Sequence, residues 1–176
     1  MRLFLNRSII FAITWILASV SAFAGAHMTI RSPAFKDHTL IPHEYSCYGA
    51  GKSPPLAWSG VPKTAKSLAL TIIDPDAPSG HFVHWIVYDL SPKRRHLPTN
   101  VALDALENYA QFGINGHGNI GYTGVCPPEG EHHYRITLYA LNTKIDQRHA
   151  TRLQFDKAIQ GHVIGTSVLV GLFRAP

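Results

Sequence analysis

The chain has 176 residues, 45% apolar and 15% charged, with 16 Lys+Arg, 11 Asp+Glu, 11 His, 14 Gly and 12 Pro. A charged fraction well below the roughly one-quarter of average soluble chains argues against a disordered chain or a solvated coiled coil, and the Gly and Pro content argues against long uninterrupted helices. The length suits one domain with its own core, and the formal charge of +5 points to nucleic acid only until the N-terminus is considered.

Arg2 and Arg7 flank the start, residues 8–20 are apolar apart from Ser and Thr, and small residues close the stretch as Ala22-Phe23-Ala24 or Ala24-Gly25-Ala26. A basic start, a short apolar run and an A-x-A end define a secretory signal peptide, so residues 1–24 are read as one, with cleavage after Ala24 or Ala26. The run is shorter than the roughly 20 residues of a spanning helix, so no stable membrane anchor is expected after cleavage. What remains, 27–176, reads as a single exported domain, periplasmic or secreted. Loss of the two arginines reduces the charge to +3, and the only dense basic run is Lys93-Arg94-Arg95. No nucleic-acid partner is expected.

Along the exported part, residues 66–73 form a short apolar run rich in β-branched side chains, stopped by Asp74-Pro75. Residues 82–90 form a second, stopped by Ser91-Pro92, and 134–141 a third, with Tyr134, Ile136, Leu138 and Ala140 alternating onto one face. Such lengths and content predict strands. Residues 100–109 can hold a helical turn or two. Phe155, Ala158, Ile159 and Val163 recur at helical spacing, predicting a helix over 155–164 ended by Gly165, and 167–173 reads as a closing strand. The stretches 42–55, 74–81 and 111–133 are long and rich in Gly, Pro or polar residues. The third is expected to form the rim of a site, because long aperiodic loops in compact domains are usually functional. The fold class is therefore mostly β with short helices.

Cys47 and Cys126 are the only cysteines. In an oxidising compartment they form a disulfide or remain two small buried thiols; neither belongs to a C-x-x-C pair, which removes zinc-ribbon and thioredoxin readings. Two clusters carry groups capable of chemistry. One is Asp74-Pro75-Asp76-Ala77-Pro78 followed by His81 and His84-Trp85; the other is 121–130 followed by His132-His133-Tyr134. Asp-Pro-Asp is also an ordinary turn sequence, and a strand histidine is commonly a satisfied core residue. His81 with His84, or His132 with His133, beside Asp74 or Asp76 would suit a divalent metal. There is no G-x-S-x-G elbow and no G-x-x-x-x-G-K phosphate loop.

The motifs Asp74-Pro75-Asp76-Ala77-Pro78 with His84-Trp85, Gly121-Tyr122…Cys126-Pro127-Pro128…Gly130, and His132-x-Tyr134 together resemble the phosphatidylethanolamine-binding protein family, in particular its bacterial Raf-kinase-inhibitor-like branch. Ser53-Pro54-Pro55-Leu56-x-Trp58 and Ile159-x-Gly161-His162-Val163 agree, so the resemblance covers about residues 28–174. Two positions depart from the family pattern: Val125 stands where a proline is usual, and His133 where an arginine is usual. The resemblance implies a compact antiparallel β-sandwich with short peripheral helices and no cofactor. It also implies a small pocket for phosphate, a phosphorylated small molecule or a phospholipid headgroup, with a protein partner or a second copy of the chain as further partners. The ligand-binding residues implied are Asp74, Asp76, His84, Trp85, Gly124, His132 and Tyr134, with His162 structural. On that reading His132→Ala abolishes binding and leaves the melting temperature nearly unchanged. The rival expectation is an exported metal-dependent or acid/base hydrolase built on the same Asp and His groups.

Overall fold

A computed structural model describes residues 27–106 and 110–176; the expected signal peptide lies outside them. Among the described residues there are nine strands, β1 (Thr29–Arg31), β2 (Thr39–Leu40), β3 (Leu56–Ser59), β4 (Ser67–Asp74), β5 (Phe82–Leu90), β6 (His96–Leu97), β7 (Gln111–Phe112), β8 (Glu131–Leu141) and β9 (Val163–Arg174), and one α-helix, α1 (Arg152–Ile159). They form a three-stranded sheet in the order β1-β3-β6 and a six-stranded sheet in the order β2-β9-β8-β4-β5-β7. Pairing is antiparallel throughout the named strands except that β2 runs parallel to β9, a local departure from the all-antiparallel expectation.

The main core lies between the sheets. Leu56, Trp58 and Leu97 of the small sheet meet Leu68, Leu70, Ile72, Ile136, Leu138 and Leu169 of the large one, all buried. The four residues that alternate along β8, Tyr134, Ile136, Leu138 and Ala140, all enter this core, as a period of two requires. Each large apolar side chain so buried contributes roughly 1.5–3 kcal/mol. A second core packs the other face of the large sheet against α1, with Phe155 touching Tyr88 and Tyr139.

Two local readings differ from expectation. The helix starts at Arg152 and ends at Ile159 rather than spanning 155–164. Thr151 and Gln154 form a capping box, each side chain bonding the other's backbone N–H, which fixes the start ahead of the first apolar residue. Gly161, at φ 76°, reverses the chain two residues after the helix, so Val163 and Ile164 belong to β9 and continue the ladder with β8. His162, expected to be structural, is exposed, with its Nδ1 2.9 Å from Asn142 Oδ1 just past the end of β8. In the segment 100–109 only a 3-10 turn, Asp104–Leu106, is described; residues 107–109 lie outside the described set.

Candidate functional site

The C-terminal end of β4 and the N-terminal half of β8 lie side by side, Ile72 opposite Ile136 and Ile73 opposite Arg135. Alternation from these pairs puts Asp74, His132 and Tyr134 on the face that carries Ile72 and Ile136. β5 reaches the same place by an irregularity. Ile72 faces Trp85 whereas Ile73 faces Val83, so His84 is an extra residue in a β-bulge. A bulge places two successive side chains on nearly one side. Trp85 joins the main core while Val83 joins the second, and the His84 ring sits 5.2 Å from Tyr134. Without the bulge, strict alternation would put His84 and Trp85 on opposite faces.

Of these residues only Asp74 and His84 line a cavity of about 160 Å³, together with Ala77, Pro78 and Ser79 from the loop after β4, Phe82 from β5, and His117, Cys126 and Pro128 from the long stretch before β8; His132 and Tyr134 pack behind that wall. His117, Cys126 and Pro128 put three residues of that long stretch on the cavity wall. His117 and Phe82 were not singled out as site residues from sequence, whereas Pro128 stood in the Cys126-Pro127-Pro128 motif.

Asp74 and His84 are each only 2% exposed, and His132 7%. Asp74 Oδ1 accepts the backbone N–H of Asp76 at 2.8 Å, and Oδ2 lies 2.8 Å from His132 Nδ1. A carboxylate only accepts, so His132 donates from Nδ1, and in its neutral form it keeps a lone pair on Nε2. His84 Nδ1 lies 3.1 Å from the Thr123 carbonyl, and the same logic gives it a proton on Nδ1 and an acceptor at Nε2. Burial pushes the His84 pKa below 6.5, partly opposed by the Thr123 carbonyl and the Asp74 charge and reinforced by His117. The Tyr134 hydroxyl is fully buried with no hydrogen-bond partner among the described residues. Burial first, then the Asp74 charge, hold its pKa above the ordinary phenolic value, against an opposing pull from the Cys126 backbone; Asp74 and Cys126 thus lie near the hydroxyl, although neither meets hydrogen-bond geometry. A buried polar group left so costs roughly 1–3 kcal/mol.

The expected set is thus only partly assembled. Asp76 does not line the cavity: its half-exposed carboxylate accepts the backbone N–H of His133 and faces His133 Nδ1, each at 2.8 Å. This pair and the Asp74–Asp76 contact are the turn reading realised, and His133 occupies the carboxylate left at that corner. Its exposed partners hold the Asp76 carboxyl below the usual range, the His133 N–H first among the causes. Trp85 lies behind the cavity, edge-on to Tyr122 and stacked on Phe112. Gly124 serves a different end from ligand approach. A Cβ there would come within 2.6 Å of the Cys47 amide nitrogen, so its bareness lets the 45–47 segment dock against 124–126.

That docking carries the disulfide. Cys47 and Cys126 are bonded across 79 residues of sequence, with Cα atoms 5.3 Å apart. The Cys47 N–H donates to the Val125 carbonyl at 3.0 Å, the Tyr122 hydroxyl to the Tyr45 carbonyl at 2.7 Å and the Tyr48 hydroxyl to the Pro127 carbonyl at 2.7 Å. The cross-link therefore braces the wall of the cavity and leaves Cys126 no thiol to act as a nucleophile. As for a metal, Asp74 is paired with His132 and Asp76 with His133 as two separate pairs, and among the described residues no three His, Cys, Asp or Glu side chains gather to hold an ion.

Residues 31–174 match the family model described as phosphatidylethanolamine-binding protein. The chain is 44% identical over 150 residues to a UPF0098 protein of Methanothermobacter thermautotrophicus, covering 84% of this chain and 99% of that protein, and 41% identical over 153 residues to a UPF0098 protein of Chlamydia trachomatis, with the same coverage. Among solved structures it is similar to the phosphatidylethanolamine-binding protein homolog CT736 of Chlamydia trachomatis, with a TM-score of 0.80, 39% identity and coverage of 86% of this chain and 99% of that one. It is also similar to Escherichia coli YbcL, described as a member of the mammalian PEBP family, with a TM-score of 0.80, 30% identity and coverage of 86% and 100%.

Proposed function

The chain belongs to the phosphatidylethanolamine-binding protein family, and on that premise we propose that it is an exported, non-enzymatic binding protein whose cavity takes phosphate, a phosphorylated small molecule or a phospholipid headgroup. Export rests on the signal-peptide pattern of residues 1–24. The observation that carries the ligand class is the unspent Tyr134 hydroxyl behind two imidazoles anchored through Nδ1. Thr71 Oγ1 and Trp85 Nε1 are buried without a partner as well, but of the three only the Tyr134 hydroxyl stands beside the His84 ring at the cavity, and phosphate oxygens accept O–H and N–H donors alike. The size agrees. About 160 Å³ falls short of the roughly 300–1,000 Å³ of pockets that take drug-sized molecules, so it suits a headgroup and not an acyl chain.

Tyr134→Phe separates this reading from a structural one. Removing an unpartnered buried hydroxyl leaves stability unchanged or raises it by up to about 1 kcal/mol, while calorimetric affinity for phosphoethanolamine is expected to fall at least several-fold. Unchanged affinity would remove the hydroxyl, and with it the main support, from the site.

The tautomers also set a pH dependence. At neutral pH His84 offers an acceptor; once protonated it offers a donor and a positive charge. Its pKa is lowered from 6.5, so affinity for an anion of fixed charge is expected to climb as pH falls below that value, by up to about tenfold per pH unit while one proton enters with the anion. Asp74 and His117, the charged and titratable groups facing His84, act in opposite senses on that proton. For folding the sign is reversed. The unfolded chain takes the proton first, so stability falls as pH drops through 6.5, and the anion restores it. Calorimetry with sulfate, whose charge is constant over this range, reads the effect directly; a flat profile would be inconsistent with it, and His84→Asn is expected to flatten it.

A further inference from the structure

α1 covers only part of the outer face of the large sheet. Phe155 seals the region around Tyr88 and Tyr139, but the helix begins at Arg152, and beyond it the sheet is open. Arg135, Thr137 and Tyr139 alternate along β8 onto that face, with Ile73 of β4 opposite Arg135. Together with Arg152 and His81 they line a cleft of about 300 Å³. It lies across the sheet from the cavity described above, and the loop 74–81 borders both: Asp74, Ala77, Pro78 and Ser79 face the cavity, Pro75 and His81 the cleft.

The cleft carries two arginines, one of them without an ion pair among the described residues. No carboxylate lines it. Among the described residues Arg135 takes part in no salt bridge. Arg152 commits its Nε to Asp156, at 2.7 and 2.6 Å from the two carboxylate oxygens, which leaves both Nη groups of the guanidinium for another acceptor. It also stands at the first position of α1, where the helix dipole adds partial positive charge. The floor is different in kind. Ile73 is buried and Tyr139 half-buried, giving an apolar strip beside a buried Thr137. Guanidinium forks recognise oxyanions by paired N–H bonds, and an apolar strip alongside selects for a ligand with a flat hydrocarbon part.

We propose that this cleft is a second, independent binding site, for a phosphomonoester carrying an aromatic or similarly flat group, held by Arg135 and Arg152 with its ring over Ile73 and Tyr139. Phenyl phosphate is the probe, and backbone NMR is the measurement because it reports the two sites separately. Titration is expected to shift the amides of Thr137, Tyr139 and Arg152 and the Arg135 side-chain N–H saturably, alongside a distinct set at His84, His117 and Thr123 from the cavity. Arg135→Gln, at an exposed position, is expected to weaken the first set at least tenfold and leave the second in place, with Arg135→Lys intermediate because it keeps the charge and loses the fork. The proposal is overturned if the Thr137–Tyr139 set stays still, if it moves as readily in Arg135→Gln, or if only vesicles rich in phosphatidylglycerol move it, which would make the face a membrane contact. A silent His84 set with a responsive Thr137–Tyr139 set would instead count against the cavity and leave the cleft standing.

Discussion

Replacing Cys47 and Cys126 together by serine is expected to lower the unfolding free energy by about 4–5 kcal/mol, the loop-closure entropy returned to the unfolded chain when a cross-link of this span is lost. The span is 79 residues, half of the described chain. For a domain of this size that is a fall of on the order of 10 °C in melting temperature. The effect should extend to binding, because Cys126 lines the cavity and its neighbours Thr123 and Pro128 hold or border it. Four hydrogen bonds remain to anchor the two segments in the double variant: Cys47 to Val125, Val125 to Tyr45, Tyr122 to Tyr45 and Tyr48 to Pro127. At a net value of roughly 0.5–1.5 kcal/mol each, they cannot replace the cross-link in the unfolded-state ledger, though they can keep the native wall in place. Thermal denaturation of the double variant, and of the unaltered protein with and without dithiothreitol, gives the comparison. A melting temperature within about 2 °C of the oxidised protein would mean that the unfolded chain is already constrained here and that the entropic account fails.

The sandwich was legible because its central strands obey a period of two so strictly. Tyr134, Ile136, Leu138 and Ala140 can share a face in no other way, and the Asp74-Pro75 and Ser91-Pro92 stops bound β4 and β5 to within a residue. The helix end was less so, because Val163 and Ile164 satisfy a helical period as well as a strand, and Gly161 decides between them by its backbone conformation. At the candidate site, the motifs named residues but not their faces. Which side His84 occupies depends on a one-residue slip against β4, a property of the pairing and invisible in either strand alone. Asp74 and Asp76 look equivalent in the chain. They diverge because Asp74 points along the buried face of β4 toward His132, whereas Asp76, beyond the strand end, finds the exposed His133. Gly124 illustrates the same limit: a bare position at a pocket suggests ligand approach, and the backbone it admits is the chain's own.

His132→Ala is expected to destabilise the protein by about 3 kcal/mol, the cost of stranding a buried carboxylate that has lost its hydrogen-bond donor, and not to leave the melting temperature unchanged as the sequence alone suggested. The difference follows from burial. Asp74 is 2% exposed and its Oδ2 has His132 Nδ1 as its hydrogen-bonded partner; deleting the ring leaves a nearly buried carboxylate oxygen without that donor. Loss of binding in that variant would then be ambiguous, since a shifted Asp74 also moves the loop 74–79 that walls the cavity. Two further variants resolve it. In Asp74→Ala/His132→Ala the stranded charge is gone, so the double variant should be more stable than the sum of the single losses predicts, by roughly 1.5–3 kcal/mol of coupling for a charge-assisted hydrogen bond. Asp74→Asn retains shape and can still accept the Asp76 N–H through its carbonyl oxygen, leaving its NH₂ group to face His132. An NH₂ only donates, so the ring must turn its acceptor to Nδ1 and carry the proton on Nε2. Imidazole ¹⁵N shifts distinguish the two tautomers, and the protein should remain folded while the proton changes nitrogen. If the tautomer stays on Nδ1 in Asp74→Asn, the Asp74 carboxylate is not what orients His132, and the imidazole is held by its packing alone.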